Sequence, residues 1–116
     1  VFKPPMEEAF ASRPLIDWFA ELPRGATRLG VAGKLLSGAD VRQALDHRAD
    51  FAILGRAGIL HHDFPKRLAA DPDFVAVAPP VTRDYLRRER LGEAFIGYMS
   101  GWKGFVAEET EGAEAA

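Results

Sequence analysis

The sequence predicts an α/β chain built around one parallel strand–helix–strand unit. Three observations carry that reading. Leu29-Gly30-Val31-Ala32-Gly33-Lys34 is a short apolar strand closing on a glycine. Further along, Ala49-Asp50-Phe51-Ala52-Ile53-Leu54-Gly55-Arg56-Ala57 repeats the strand-to-glycine ending and runs into a helix start. Between them, Ser37 to Leu45 has helical spacing. Two successive strand ends, each finishing in a glycine that lets backbone N–H groups approach a ligand, describe the phosphate site between strands 7 and 8 of a (β/α)₈ barrel.

Val1 to Ala11 contains Pro4 and Pro5 and reads as extended or irregular. Ser12 is the expected N-cap of a first helix, with Pro14 in its first turn and Leu15, Ile16, Phe19 and Leu22 on one apolar face. Pro23-Arg24-Gly25 closes it, and a strand follows over Arg28 to Ala32. Ser37 with Asp40 three residues on makes a capping box, and Val41, Ala44 and Leu45 give the next helix its apolar stripe. Phe51 to Leu54 is a continuous apolar run, as expected of a parallel strand covered on both faces.

Past Gly55-Arg56, Ala57 to Leu60 predicts a short helix. Asp63 caps another over Phe64 to Ala70, with Pro65 in the first turn. Asp71-Pro72-Asp73 reads as a turn. Val75 to Ala78 runs into Pro79-Pro80, which argues for an extended passage rather than a further core strand. Thr82 caps a helix to Glu89, and Glu93 to Trp102 forms a second amphipathic helix. Residues 1–107 form the folded part, enough for one modest core, and 108–116 a disordered acidic tail.

Hydrophobic residues at 47% and charged residues at 28% match ordinary globular chains, so extensive disorder is excluded. With no cysteine, disulfides and thiolate metal sites are excluded, and a cytoplasmic location fits. Four of the seventeen acids lie in the tail, which leaves fifteen basic against thirteen acidic residues in the body. No basic stripe with interleaved aromatics points to nucleic acid, and no apolar stretch approaches the ~18 residues of a membrane span.

The flanks sharpen the barrel reading. Val31 to Leu60, together with Phe2-Lys3-Pro4-Pro5 and the ending Pro80-Val81-Thr82, Tyr98-Met99 and Trp102-Lys103-Gly104-Phe105-Val106, resembles the C-terminal part of the NADH:flavin oxidoreductases, the old yellow enzyme family. The resemblance extends to about Ala107. It implies a C-terminal fragment of a TIM barrel, strands 7 and 8 with flanking helices, from an FMN-dependent enzyme that moves hydride from NADH or NADPH to an unsaturated small molecule. A complete barrel needs about 250 residues, and the chain opens at Val1 rather than Met. The expectation is therefore the last third of an enzyme, inactive alone, whose partners are the rest of the barrel or a second copy of the chain. A strand edge and an apolar surface should then stand exposed.

Within the resemblance, Gly33, Gly55 and Arg56 hold the flavin phosphate. The glycines admit main-chain N–H groups without a Cβ in the way. Arg56 adds a charge-assisted hydrogen bond, and the helix after it aims its dipole at the same point. Lys34 varies among family members and receives little weight. The family's substrate histidines and its tyrosine proton donor come from earlier strands, so no catalytic residue is expected here. Family members turn out of the helix between the strands through a glycine, where this chain has His47-Arg48.

Other residues read more plainly. His61 and His62 are adjacent, so they point in different directions and form a surface or N-cap pair; no metal site is expected. Asp17-Trp18-Phe19 reads as core with one exposed acid, and Arg87-Arg88-Glu89-Arg90 as a solvated helix face. Tyr85, Tyr98 and Trp102 read as packing residues of the C-terminal helices, or as an interface. Two alternatives stay open: a non-enzymatic half-barrel used for assembly, and a fragment of another phosphate-binding barrel without flavin.

Overall fold

A computed structural model describes residues 1–108. The fold mixes helices with one small parallel sheet. In order come a 3₁₀ turn at Glu8–Phe10, α1 (Leu15–Ala20), β1 (Gly30–Val31), α2 (Gly38–Asp46), β2 (Phe51–Ala52), α3 (Arg56–Leu60), α4 (Phe64–Ala70), α5 (Arg83–Arg88) and α6 (Glu93–Ser100). The expected acidic tail lies outside the described residues, apart from Glu108.

β1 and β2 pair in parallel, Gly30 opposite Phe51 and Val31 opposite Ala52. The Ile53 N–H donates to the Val31 carbonyl at 2.7 Å, and the Asp50 and Phe51 N–H groups reach the Leu29 carbonyl at 2.8 and 3.3 Å. Asp50 reinforces the register, because its carboxylate accepts the Leu29 N–H at 2.7 Å and the Arg24 guanidinium at 3.1 Å. Both strands are shorter than their apolar runs.

The two faces of this sheet differ. Alternation puts Val31, Ala52 and Leu54 on the face toward α2, where Ile16, Leu35, Ala44 and Ala49 complete a cluster. Ala44 is fully buried; its small side chain lets α2 sit close to β2. The opposite face carries Phe51 and Ile53, which are 46% and 47% exposed. The expectation of cover on both faces is thus corrected. This side stays about half exposed, and the expected exposed apolar surface is present.

A second cluster gathers Leu60, Val81, Leu86, Ile96, Met99, Phe105 and Val106 from α3, α5, α6 and the closing segment. Val81 bridges in parallel to Val106, its N–H donating to the Phe105 carbonyl at 2.9 Å. The single core expected from chain length is therefore two clusters, each serving its own set of helices.

Local corrections have physical causes. Ser12 does not cap α1; Pro14 occupies the N-cap, and carbonyls of the N-terminal segment take the orphan N–H groups instead. Leu15 donates to Lys3 at 2.8 Å and Ile16 to Val1 at 3.0 Å. Only Ile16 and Ala20 of α1 are buried, so the predicted face of Leu15, Phe19 and Leu22 remains largely exposed. In α2, Leu45 is also exposed. Asp63 precedes α4 without capping it, because its carboxylate is taken by Arg67. The capping residues Ser37 and Thr82 perform as the sequence predicts, accepting the N–H of Asp40 and of Tyr85.

Gly38 is required by close approach, since a Cβ there would lie 1.9 Å from the Pro72 carbonyl. The extended passage forms, with Ala76 donating to Leu36 at 2.8 Å. Arg48 leaves α2 at φ +70°, the left-handed conformation that glycine adopts without a Cβ penalty. The Ser37 hydroxyl also anchors the helix that covers the sheet. Ser37→Ala is expected to lower unfolding free energy by about 0.5–2 kcal/mol, read from the urea midpoint; an unchanged midpoint would dismiss the cap as a contributor.

Candidate functional site

The C-terminal ends of β1 and β2 open into one cleft of about 360 Å³, lined by Gly33, Lys34, Leu35, Ile53, Gly55 and Arg56. All three sequence-selected residues, Gly33, Gly55 and Arg56, border it. Gly33 has φ +118°, a conformation that L side chains rarely adopt, and the next residue, Lys34, follows at φ +55°. This pair of left-handed residues turns the chain away from the end of β1. A Cβ at Gly33 or Gly55 would meet no protein atom within 4 Å. Protein packing therefore does not demand glycine at Gly55, whereas a ligand resting against the backbone would.

Among the described residues, the N–H groups of Gly33, Gly55 and Arg56 meet no protein acceptor. The Lys34 and Arg56 side chains are exposed and pair with no described carboxylate. The lining holds no acidic, histidine or tyrosine side chain. Donors and cations facing an apolar wall of Ile53 and Leu35 suit an anion attached to an apolar body. Nothing in the lining suits proton transfer at neutral pH. α3 runs only five residues, so the helix dipole expected behind Arg56 is weak. The donors are individual N–H groups.

A larger hollow of about 520 Å³ lies at the opposite, N-terminal ends of the strands. Its Arg24 and Asp50 bind each other, and Arg28 also lines it.

His61 and His62 separate as adjacent residues should, but His61 is not on the surface. It is buried, accepting the Val77 N–H at Nε2 (2.9 Å), with Nδ1 3.3 Å from the Tyr85 hydroxyl. Tyr85 donates to the Leu60 carbonyl at 2.7 Å, so its oxygen is left to accept from Nδ1–H, which assigns the neutral tautomer. His62 is exposed and meets Glu89, whose Oε1 accepts both the His62 N–H and a contact from Nδ1 at 3.2 Å. Glu89 is buried, which corrects the solvated-face reading of its run. Arg87 in that run does face solvent, pairing with Asp84 and Glu93.

Tyr98 and Trp102 are 60% and 50% exposed rather than packed, and Tyr98 stacks on Phe95. In the Asp17-Trp18-Phe19 triplet, Phe19 is exposed and Asp17 pairs with His47 at 2.6 Å. The Asp17–His47 pairing joins residues 30 positions apart, and no local pattern signals it. The spacing of Gly33, Gly55 and Arg56, each at a strand end, was a local signal.

No family model, curated protein or solved structure matches the chain. No helix among the described residues is long and apolar enough to cross a membrane.

Burial, and then the Arg67 charge, lower the His61 pKa below its ordinary value near 6.5, against weaker opposition from Glu89 and Asp63. The fold thus favours neutral His61. Its contribution to stability is complete above pH 6.5 and declines as pH falls toward the lowered folded value. The urea midpoint of the wild type should fall between pH 7.5 and 5 more steeply than that of His61→Gln, whose carbonyl can still accept the Val77 N–H. Parallel profiles would remove His61 from the pH response.

Proposed function

We propose that this chain is the phosphate-binding C-terminal part of an FMN-dependent, (β/α)₈-barrel oxidoreductase of the old yellow enzyme kind. One observation carries the reading: Gly33, Gly55 and Arg56, drawn from two parallel strand ends, border a single cleft, and their N–H groups meet no acceptor among the described residues. The open sheet face of Phe51 and Ile53 supports it further, because inward-facing strand residues of a barrel require the remaining strands to cover them.

The residues fit the group. Gly33 and Gly55 offer main-chain N–H groups to phosphate oxygens, Arg56 offers a guanidinium, and Ile53 offers an apolar flank. FMN, when bound, supplies hydride transfer between NADH or NADPH and a small unsaturated substrate, while this segment anchors and orients its phosphate end. The groups that touch the acceptor lie on other strands, so the segment carries no catalytic residue. A cytoplasmic enzyme accords with the absence of cysteine. The same open face supports a second reading, a half-barrel that assembles with another copy and binds phosphate without flavin.

Arg56→Ala separates these roles from an idle surface arginine. In the complete flavoenzyme this reading requires, the substitution should weaken FMN by about 1.5–3 kcal/mol, the scale of one charge-assisted hydrogen bond. The difference should shrink at high salt. Flavin titration measures it, and an unchanged affinity would remove the phosphate role. In this chain itself, inorganic phosphate should shift the amide signals of Gly33 and Gly55 ahead of others.

A further inference from the structure

Beyond the cleft, His62, Asp63 and Glu89 bring three different ligand-bearing side chains to one point between the α3–α4 junction and the C-terminal end of α5. His62 Nδ1 lies 3.2 Å from Glu89 Oε1 and 3.9 Å from Asp63 Oδ1, and the three ligand atoms stand within 4.8 Å of one another. Ligands at about 2.0–2.2 Å from a tetrahedral zinc ion stand roughly 3.3–3.6 Å apart. The 3.2 and 3.9 Å spacings from His62 Nδ1 bracket this range.

Charge supplies a separate argument. The Glu89 side chain is only 11% exposed, yet both of its hydrogen-bond contacts come from His62. Arg67, the guanidinium beside the cluster, bonds Asp63 at 2.9 Å rather than Glu89. A buried carboxylate is costly unless it is paired with positive charge, and among the described residues the His62 imidazole is its one such side-chain contact. A cation held among Glu89, Asp63 and the imidazole would supply that charge, with Asp63 Oδ1 accepting from Arg67 through one lone pair and meeting the metal through the other. The 43% exposure of His62 leaves a side for entry and for a water ligand.

We propose that His62, Asp63 and Glu89 form a site for a divalent transition-metal ion of the zinc type, which clips α5 to the α3–α4 junction. One imidazole favours such ions over magnesium, which prefers oxygen ligands alone and keeps much of its water. The role is structural, because its ligands join the C-terminal end of α5 to the α3–α4 junction. The site is independent of the phosphate reading, being formed by other residues.

The test uses the whole chain, stripped with EDTA and titrated with Zn²⁺ by calorimetry. One ion per chain should bind, more weakly as pH falls because protons compete for the ligands. His62→Ala should weaken binding by about tenfold or more, and Glu89→Gln likewise. His47→Ala, at the unrelated pair with Asp17, should leave it unchanged, and excess Mg²⁺ should not displace the ion. Circular dichroism checks that each variant is folded; should Glu89→Gln unfold, the exposed His62 decides the matter. No Zn²⁺ binding by the wild type, or equal binding by His62→Ala, overturns the proposal.

Discussion

The register of two very short parallel strands is the constraint on which the rest depends. Few backbone hydrogen bonds hold them, and the Asp50 carboxylate adds a further tie by accepting the Leu29 N–H. That bond, with Arg24 beside it, holds the Asp50 carboxyl below the usual carboxylate range. A slip by one residue would turn Val31 and Ala52 away from α2 and break the cluster beneath it. It would also move Gly33 relative to Gly55, and the cleft at the strand ends would lose its shape.

From that register, the division of the molecule follows. One sheet face is closed by α2, whose capping by Ser37 and small residue at Ala44 let it lie close. The other face is left with large apolar side chains in solvent. An antiparallel sheet often tolerates one wet face; a parallel sheet normally has both covered. The half-exposed Phe51 and Ile53 therefore leave this parallel sheet with one face open. In the second cluster, around Leu86, Ile96 and Phe105, α5, α6 and the closing Val81–Val106 bridge cover one another.

The same geometry explains why the candidate site is chemically spare. Strand ends deliver backbone donors, and Gly33 and Gly55 expose them. Arg56 and Lys34 add positive charge without a carboxylate in the lining. Such a lining has donors and positive charge of the kind that suit an anion. Proton transfer needs groups that this cleft lacks, while the buried histidine that the chain does possess is occupied in holding Val77 to α3.

Local chemistry alone determined a great deal of this chain. The glycines after each apolar run, the caps Ser37 and Thr82, the Asp71-Pro72-Asp73 turn and the order of helices all rest on contacts between near neighbours, which sequence spacing reports directly. The strand ends at Gly33 and at Gly55-Arg56 were legible for the same reason. Tertiary structure decided which apolar faces are buried: Leu15, Phe19 and Tyr98 satisfy helical periodicity, yet all three stay exposed. It also decided that Ser12 is idle, because the carbonyls of Val1 and Lys3 arrive first. The burial of His61 and Glu89, and the meeting of Glu89 with His62, depend on α5 docking against the α3–α4 junction. Periodicity tells which side of an element is apolar, but only the packing of distant segments determines what, if anything, covers it.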